Sequence, residues 1–136
     1  MTMQPLAALP VDADLWWIVY LRGALVGRPE SYLQGMKVVR EVPDPRPARF
    51  VSIRHDGGAI DGLFVRPRVA LDVWADSQQN ATAISNVLIA LAMDAPGTNG
   101  CLRVTHESGP NDVADPSGQP RRLSLITATH RVNVLT

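Results

Sequence analysis

Apolar positions recur along the chain at two spacings, and each spacing predicts a different kind of element. Asp12 or Asp14 caps a first predicted helix that runs to about Val26. Its middle, residues 15–21, is apolar on every side rather than along one stripe. Only one side of a helix in a small domain meets the core, so the other sides need a cover as well. That cover is either a partner subunit or another part of the same chain.

Short alternating segments predict the strands of one sheet. In residues 50–55 the apolar Val51 and Ile53 share one face. Val69, Leu71 and Val73 do the same a little further on. The predicted strands are residues 36–39, 50–55, 69–74, 101–105 and 123–132.

A second amphipathic helix lies between these strands. Asp76 and Gln79 predict a capping box at its start. Its core stripe is Ala81, Ile84, Leu88 and Leu91. Residues 69–104 then form a strand–helix–strand crossover with parallel strands, whereas the flanking strand pairs are more naturally antiparallel. We therefore expect a single α+β domain over residues 1–136, with two helices packed on a mixed, mainly antiparallel sheet.

Two connections, residues 56–67 and 107–119, are longer than a sheet needs, and both are rich in Gly, Pro and Asp. Long connections run over the surface and commonly carry function. We expect both to lie outside the core, to be mobile in the free protein and to contact partners. The residues expected to make these contacts are Asp56, Gly57, Gly58, Asp61, Asp112, Asp115 and Gln119.

Charge and cysteine content narrow the classes of function. Lys+Arg and Asp+Glu balance at 13 each, so bulk charge gives no argument for nucleic acid or an anionic membrane. The single cysteine, Cys101, excludes an internal disulfide, indicates a reducing compartment and is expected to be a buried structural thiol. The start of the sequence lacks a signal-peptide pattern, and residues 15–21 are too few to span a bilayer. We expect a cytoplasmic location and no membrane contact.

No residue pattern points to catalysis. His55, His106 and His130 lack the spacing that puts ligands on one helix face, and acidic residues do not cluster, so we expect neither a metal nor a cofactor. The Gly-x-Ser-x-Gly nucleophile turn and the Gly-x-x-x-x-Gly-Lys phosphate loop are both absent from the sequence. We expect no catalytic residue. A small hydrolase or nucleotide-binding enzyme is the alternative that a turnover assay would test.

Arginines are concentrated around the first long connection, at Arg46, Arg49, Arg54, Arg66 and Arg68. Alternation places Arg54 opposite Val51 and Ile53, and Arg68 opposite Val69, so Arg54 and Arg68 are expected to line one exposed sheet face. Such a patch suits phosphate or an acidic neighbouring subunit. Interspersed aspartates favour a mixed, solvated face instead, and both interpretations stay open.

The stretch from Pro43 to Trp74 resembles a known family. Residues 43–53 read Pro-Asp-Pro-Arg-Pro-Ala-Arg-Phe-Val-Ser-Ile, a Gly-Gly pair follows, and residues 68–75 read Arg-Val-Ala-Leu-Asp-Val-Trp-Ala. A second match, residues 109–121, reads Gly-Pro-Asn-Asp-Val-Ala-Asp-Pro-Ser-Gly-Gln-Pro-Arg. Together they resemble the small tail terminator proteins of long-tailed phages of actinobacterial hosts.

The resemblance implies a structural protein of the virion tail or neck, assembled in the host cytoplasm. Proteins of this kind form a ring, commonly hexameric, on the head-proximal end of the tail tube and end tube polymerisation. The implied partners are further copies of the chain, the major tail tube protein and a head completion or connector protein. Genomic DNA passes through the channel without sequence-specific binding. A neck or head–tail connector subunit is the alternative.

The resemblance also gives each surface an expected role. Ring closure is expected to bury Trp16, Trp17 and Tyr20 of the first helix, because aromatic residues suit interface cores. The two long connections are expected to make axial contacts with the tube and the connector. The arginine group is expected to face the DNA channel or an acidic neighbour.

Overall fold

The structure, a computed structural model, describes residues 7–135 and the side chains of residues 9–132. The helices are α1, Ala13–Leu25, and α2, Gln78–Met93. The strands are β1 (Ala7–Leu9), β2 (Lys37–Val39), β3 (Phe50–Asp61), β4 (Phe64–Trp74), β5 (Cys101–Asp112), β6 (Arg121–Arg131) and β7 (Asn133–Leu135).

Five strands form one mixed sheet in the order β2-β3-β4-β6-β5, and β1 pairs with β7 beside it. The pairs β3–β4, β4–β6 and β6–β5 are antiparallel, while β2–β3 is parallel. Strands β4 and β5 therefore run in the same direction with β6 between them, as the crossover through α2 requires. The predicted α+β class, with a mixed and mainly antiparallel sheet and two helices, is confirmed.

The hydrophobic core lies between the sheet and the two helices. The predicted inward positions of β3, β4 and α2 are at most 1% exposed and belong to one cluster: Val51, Ile53, Val69, Leu71, Val73, Ile84 and Leu88. Leu91 packs against this cluster at its edge. Helix α1 adds Trp17, Ile18 and Leu21 to the core, whereas Leu15 and Val19 on its outer side stay exposed.

The first helix begins as its sequence predicts, and the second does not. Asp12 caps α1 by accepting the N–H of Leu15 at 3.2 Å. The capping box predicted from Asp76 and Gln79 is wrong, because the residue before α2 is Ser77. Ser77 is extended, and its hydroxyl accepts the N–H of Asn80 at 3.1 Å.

Most of the two connections predicted at 56–67 and 107–119 is strand, so that prediction is wrong. Strands β3 and β4 continue as one hairpin to a two-residue turn at Gly62 and Leu63. Strand β5 continues to Asp112, which leaves residues 113–120 as the second connection. The glycines and prolines in these segments interrupt the apolar–polar alternation by which strands are predicted. Edge strands and bulges nevertheless accommodate such residues.

Shifts in the pairing register occur where β3 and β5 accommodate glycine and proline. Strand β3 shifts between His55 and Gly58, and the edge strand β5 shifts three times along its length. Gly58 and Gly109 both have positive φ, and a Cβ at either would clash with the backbone of the neighbouring strand. Only glycine allows the strands to approach so closely at these two points.

The parallel β2–β3 pair contradicts the expected antiparallel pairing. Residues 40–49 join the two strands by crossing the sheet face opposite the helices. The Ser52 hydroxyl donates to the carbonyl of Arg40 at 3.1 Å, and the Gln119 amide donates to the carbonyl of Ala48 at 3.2 Å. Residues 40–49 and 113–120 thus lie against each other and cover part of that face.

Candidate functional site: three interaction surfaces

The sheet face opposite the helices, named here the loop-side face, has a covered half and an open half. In the covered half Phe50 and Trp74 lie opposite each other in the register and stack at 4.8 Å between ring centroids. Both are buried. The Arg121 guanidinium lies over the face of the Trp74 ring, 4.6 Å from the ring centroid, in a cation–π contact.

A buried ion pair lies beside these rings. Arg121 donates to both carboxylate oxygens of Asp72, through Nε at 2.9 Å and Nη2 at 2.7 Å. Asp72 is 1% exposed, so these two hydrogen bonds replace contacts with water that its carboxylate lacks. The hydrogen bonds with Asp72 hold the pKa of Arg121 above its usual value.

Asp115 ties the second connection to the same place. Its carboxylate accepts hydrogen bonds from the Ser117 hydroxyl, from Arg46 at 2.8 Å and from the Trp74 indole N–H at 3.3 Å. These hydrogen bonds, with the Ser117 hydroxyl first and Arg46 second, hold the pKa of Asp115 well below its usual range. With its side chain only 4% exposed, Asp115 is an internal anchor, so the predicted partner contact is wrong for this residue.

Gln119 is a second correction of the same kind, since its amide binds the backbone of residues 47 and 48. The covered half is therefore held by one group of side chains, which we name the aromatic–ion cluster. Both sequence segments that carry the family resemblance contribute to it. Its members are Arg46, Phe50, Asp72, Trp74, Asp115 and Arg121.

The open half of the loop-side face carries exposed arginines between threonines, and we name it the arginine face. Arg54 lies opposite Ala70 in the register, two residues along β4 from Arg68. Arg68 lies opposite Thr127, and Arg103 opposite Thr129. Arg131 lies at the end of β6. The members of this surface are Arg54, Arg66, Arg68, Arg103, Arg131, Thr105, Thr127 and Thr129.

The predicted arginine group is divided between the two halves. Arg46 belongs to the aromatic–ion cluster, and Arg49 donates to the Ser31 carbonyl at 2.8 Å and pairs with Asp76 at 3.4 Å. Both therefore form ion pairs within their own subunit and lie apart from the arginine face. Arg54 and Arg68 share one face, as predicted from the alternation. Arg66, also on this face, pairs with Asp61 at 3.0 Å.

Arg103 and Arg131 were not predicted to join this group. They are distant in sequence from the other arginines, and the strand register alone brings them together. The sequence feature that could have indicated this is the alternation of Thr127 and Thr129 with buried residues on β6. A residue that lies opposite either threonine on a neighbouring strand, such as Arg103, must lie on the same face of the sheet.

The third surface is an apolar groove of about 1070 Å³ along the outer side of α1. Trp16 and Tyr20 line it and stack on each other at 5.4 Å. Each is fixed by a hydrogen bond: the Trp16 indole donates to the Asn99 carbonyl at 3.2 Å, and the Tyr20 hydroxyl donates to the Leu91 carbonyl at 2.6 Å. The other residues lining the groove include Leu9, Leu15, Val19, Gly23, Arg131 and Val132.

Trp17 does not share this surface, so its predicted place in a subunit interface is wrong. It is fully buried, because positions 13, 17 and 21 of α1 form the stripe that faces the core. Its indole N–H donates to Nε2 of His130 at 3.2 Å. Burial lowers the pKa of His130 to about 4, so the imidazole is neutral at pH 7.

The remaining predicted contact residues lie at the register shift of β3, beside the hairpin turn and at the end of β5. Asp56, Gly57 and Gly58 are exposed at the register shift of β3, and Asp61 is exposed beside the hairpin turn. Asp112 is exposed at the end of β5. The hairpin tip also exposes apolar side chains, with Ile60 at 61% and Leu63 at 63%.

The described residues include one cysteine, Cys101. Cys101 is buried, and burial raises the pKa of its thiol to about 11, so it stays protonated at neutral pH. Within residues 7–135, His, Cys, Asp and Glu side chains do not gather in groups of three or more around a possible ion site. Neither described helix has the length and apolar character needed to cross a membrane.

Comparison with protein-family profiles finds no match for this chain, and comparison with curated proteins finds no significantly similar sequence. A function for the chain therefore has to be proposed from its fold, its surfaces and the resemblance of residues 43–74 and 109–121.

Proposed function

We propose that this protein is a phage tail terminator, a ring-forming subunit that caps the head-proximal end of a tail tube and joins tail to head. The observation that carries the proposal is the aromatic–ion cluster. Arg46, Phe50 and Trp74 come from the first resembling segment, and Asp115 and Arg121 from the second. Two matches far apart in sequence thus build one physical unit, which supports treating them as a single family pattern.

The groove along α1 supports ring formation. Leu15 and Val19 are 53% and 59% exposed beside Trp16 and Tyr20, which makes a contiguous apolar surface of the kind that marks protein interfaces. A head-to-tail contact with a closing rotation turns such a surface into a ring. Trp16 and Tyr20 are rigid and half-buried, as suits the centre of an interface.

The hairpin tip extends the same candidate interface. The carbonyl of Leu63 accepts the N–H of Val132 at 3.0 Å, and Val132 also borders the groove. The exposed apolar tip and the groove therefore lie at the same end of the sheet. Asp56 and Asp112 remain exposed for axial contacts with the tail tube protein and the connector protein. The proposed role needs no catalysis, only a ring with two different ends.

Assembly with the tail tube protein tests this function. We expect the purified protein to form a ring, most simply a hexamer by native mass spectrometry, and to stop the growth of tail tubes. In electron micrographs the ring is expected at one end of each tube. Leu15→Asp with Val19→Asp places two charges in the groove and is expected to give a folded monomer that no longer caps tubes.

Val26→Asp is the matched control. Val26 is 80% exposed at the end of α1 but does not line the groove, so this variant is expected to form rings and cap tubes normally. A monomer that still stops tube growth would contradict the ring. Binding to the portal side without any effect on tubes would favour the connector alternative, and substrate turnover would favour the enzyme.

A further inference from the structure

The arginine face concentrates positive charge in a chain whose net charge is zero. Arg54, Arg68, Arg103 and Arg131 have no ion-pair partner among the described residues. The register places Asp61 on the same half, where Arg66 pairs with it. Further acidic residues, Asp56 and Glu107, lie at the register shifts on the outer strands. The centre of this half is therefore cationic.

The size of this surface suits a regular row of negative charges. It spans four strands and three steps between alternate residues, which is about 14 Å by about 20 Å from standard strand spacings. Arg54 on β3, Arg68 on β4 and Arg103 on β5 are thus spread across the sheet rather than gathered on one partner. Thr105, Thr127 and Thr129 add neutral hydroxyl donors between them.

From this arrangement we propose that the arginine face binds the phosphate backbone of double-stranded DNA without reading its sequence. Arginine and threonine side chains are typical donors to phosphate oxygens. A flat sheet face has no element to insert into a groove, so base edges stay out of reach. Phe64, 38% exposed, is the large aromatic residue on this half, which gives too small a stacking platform for single-stranded DNA.

This inference deepens the proposed function, because it names the surface that a passing genome contacts, and it rests on that function for its biological setting. The binding itself is a property of the single subunit. Its strength should be modest and should depend strongly on salt, because each arginine that neutralises a phosphate releases counterions.

Fluorescence anisotropy with a labelled DNA duplex tests the proposal. We expect a mixed-sequence duplex of about 24 base pairs to bind at about 20 mM salt, with a log–log slope of about −3 against salt concentration. A second, unrelated duplex is expected to bind equally well. Arg54→Gln, Arg68→Gln and Arg103→Gln are each expected to reduce the magnitude of the slope by about 0.9.

Lys37→Gln is the charge-matched control. Lys37 is exposed on β2, opposite Phe50 at the other end of the sheet, and its loss should leave the slope unchanged. Circular dichroism melting would establish that all four variants stay folded, as expected for exposed side chains.

Three results would overturn the proposal. The first is no duplex binding at about 20 mM salt, and the second is a slope that the three arginine substitutions do not change. The third is polyglutamate that displaces the duplex as well as unlabelled DNA does, since that would make an acidic protein the better partner. If the protein caps tubes but does not bind the duplex, only the proposal of DNA binding is wrong. If it binds the duplex as described but caps no tubes, the DNA-binding proposal stands and the proposed function is wrong.

Discussion

The two faces of the one sheet are covered by different chemistry. On the helix side, apolar residues at regular spacing from β3, β4, α1 and α2 meet in one cluster. On the loop side, two loops without any periodic pattern are held down by an aromatic stack and by arginine–carboxylate pairs. Helices with a periodic apolar stripe cover most of one face of the sheet, whereas loops held by a few side chains cover only part of the other. The arginine face is the part of the loop side that these loops leave uncovered.

The largest effect is expected at the ion pair of the loop side. Asp72→Ala leaves the Arg121 guanidinium without its bidentate partner in a site where the carboxylate is 1% exposed. We expect the free energy of unfolding to fall by up to about 3–5 kcal/mol, the range for buried pairs that lose one partner, with Asp115 at 3.7 Å as the remaining carboxylate beside Arg121. Urea denaturation would measure it.

Asp61→Ala is the corresponding change on the open half, where the Arg66–Asp61 pair is solvent-exposed. It is expected to cost less than about 1 kcal/mol. Equal costs at the two sites would remove the distinction between the covered and open halves.

The helix side is tested by Leu88→Ala. Leu88 is fully buried between α2 and the sheet, so truncation leaves a cavity and should lower the free energy of unfolding by about 2–5 kcal/mol. Leu102→Ala, at a 39% exposed position on β5, is the control and should cost much less. A melting temperature for Leu88→Ala close to that of the unchanged protein would contradict the assigned core.

Acidification is expected to destabilise the helix side and the loop side of the sheet over different pH ranges. The pKa of His130 on the helix side is about 4 in the folded protein, against about 6.5 in an unfolded chain. Between these values the unfolded chain binds a proton that the folded protein does not, so stability falls as pH decreases from about 6.5 to about 4, by about 3 kcal/mol in total. The pKa of Asp115 on the loop side is lowered, so its contribution is lost only as pH falls below about 4.

Denaturation curves at pH 7, 5, 4 and about 2.5 would resolve the two ranges, since the contribution of Asp115 is lost only below about pH 4. His130→Phe should flatten the dependence between about pH 6.5 and 4. If His130→Phe retains the full loss of stability over that range, another group is responsible.

The same contrast explains what sequence alone predicts. Val51, Ile53, Ile84 and Leu88 were predictable as core because burial on one side imposes a period on strands and helices. The strands beyond His55 and Thr105 were not, because bulges and glycines interrupt the alternation where β3 and β5 extend past the core.

The surfaces were predicted less well for a related reason. Asp115 and Gln119 look like solvent-exposed loop residues, and only the folded chain brings them to Arg46 and Ala48. Trp16, Trp17 and Tyr20 were predicted to lie together in a subunit interface, and in the structure Trp16 and Tyr20 line the groove along α1. Adjacent Trp17 points to the core, a distinction that follows from helical spacing once the core side of α1 is known.

The interrupted edges of the sheet have a consequence for how copies of this chain can add to one another. Beyond the short β2 pairing, β3 has an open edge, and β5 is the other border of the sheet. Open edges are templates for endless strand addition. The bulge in β3, the three shifts in β5 and Pro110, which has no N–H to donate, break both templates into short pieces. Growth by backbone pairing is therefore disfavoured, and any assembly has to use side-chain surfaces, whose geometry can fix a finite number of subunits.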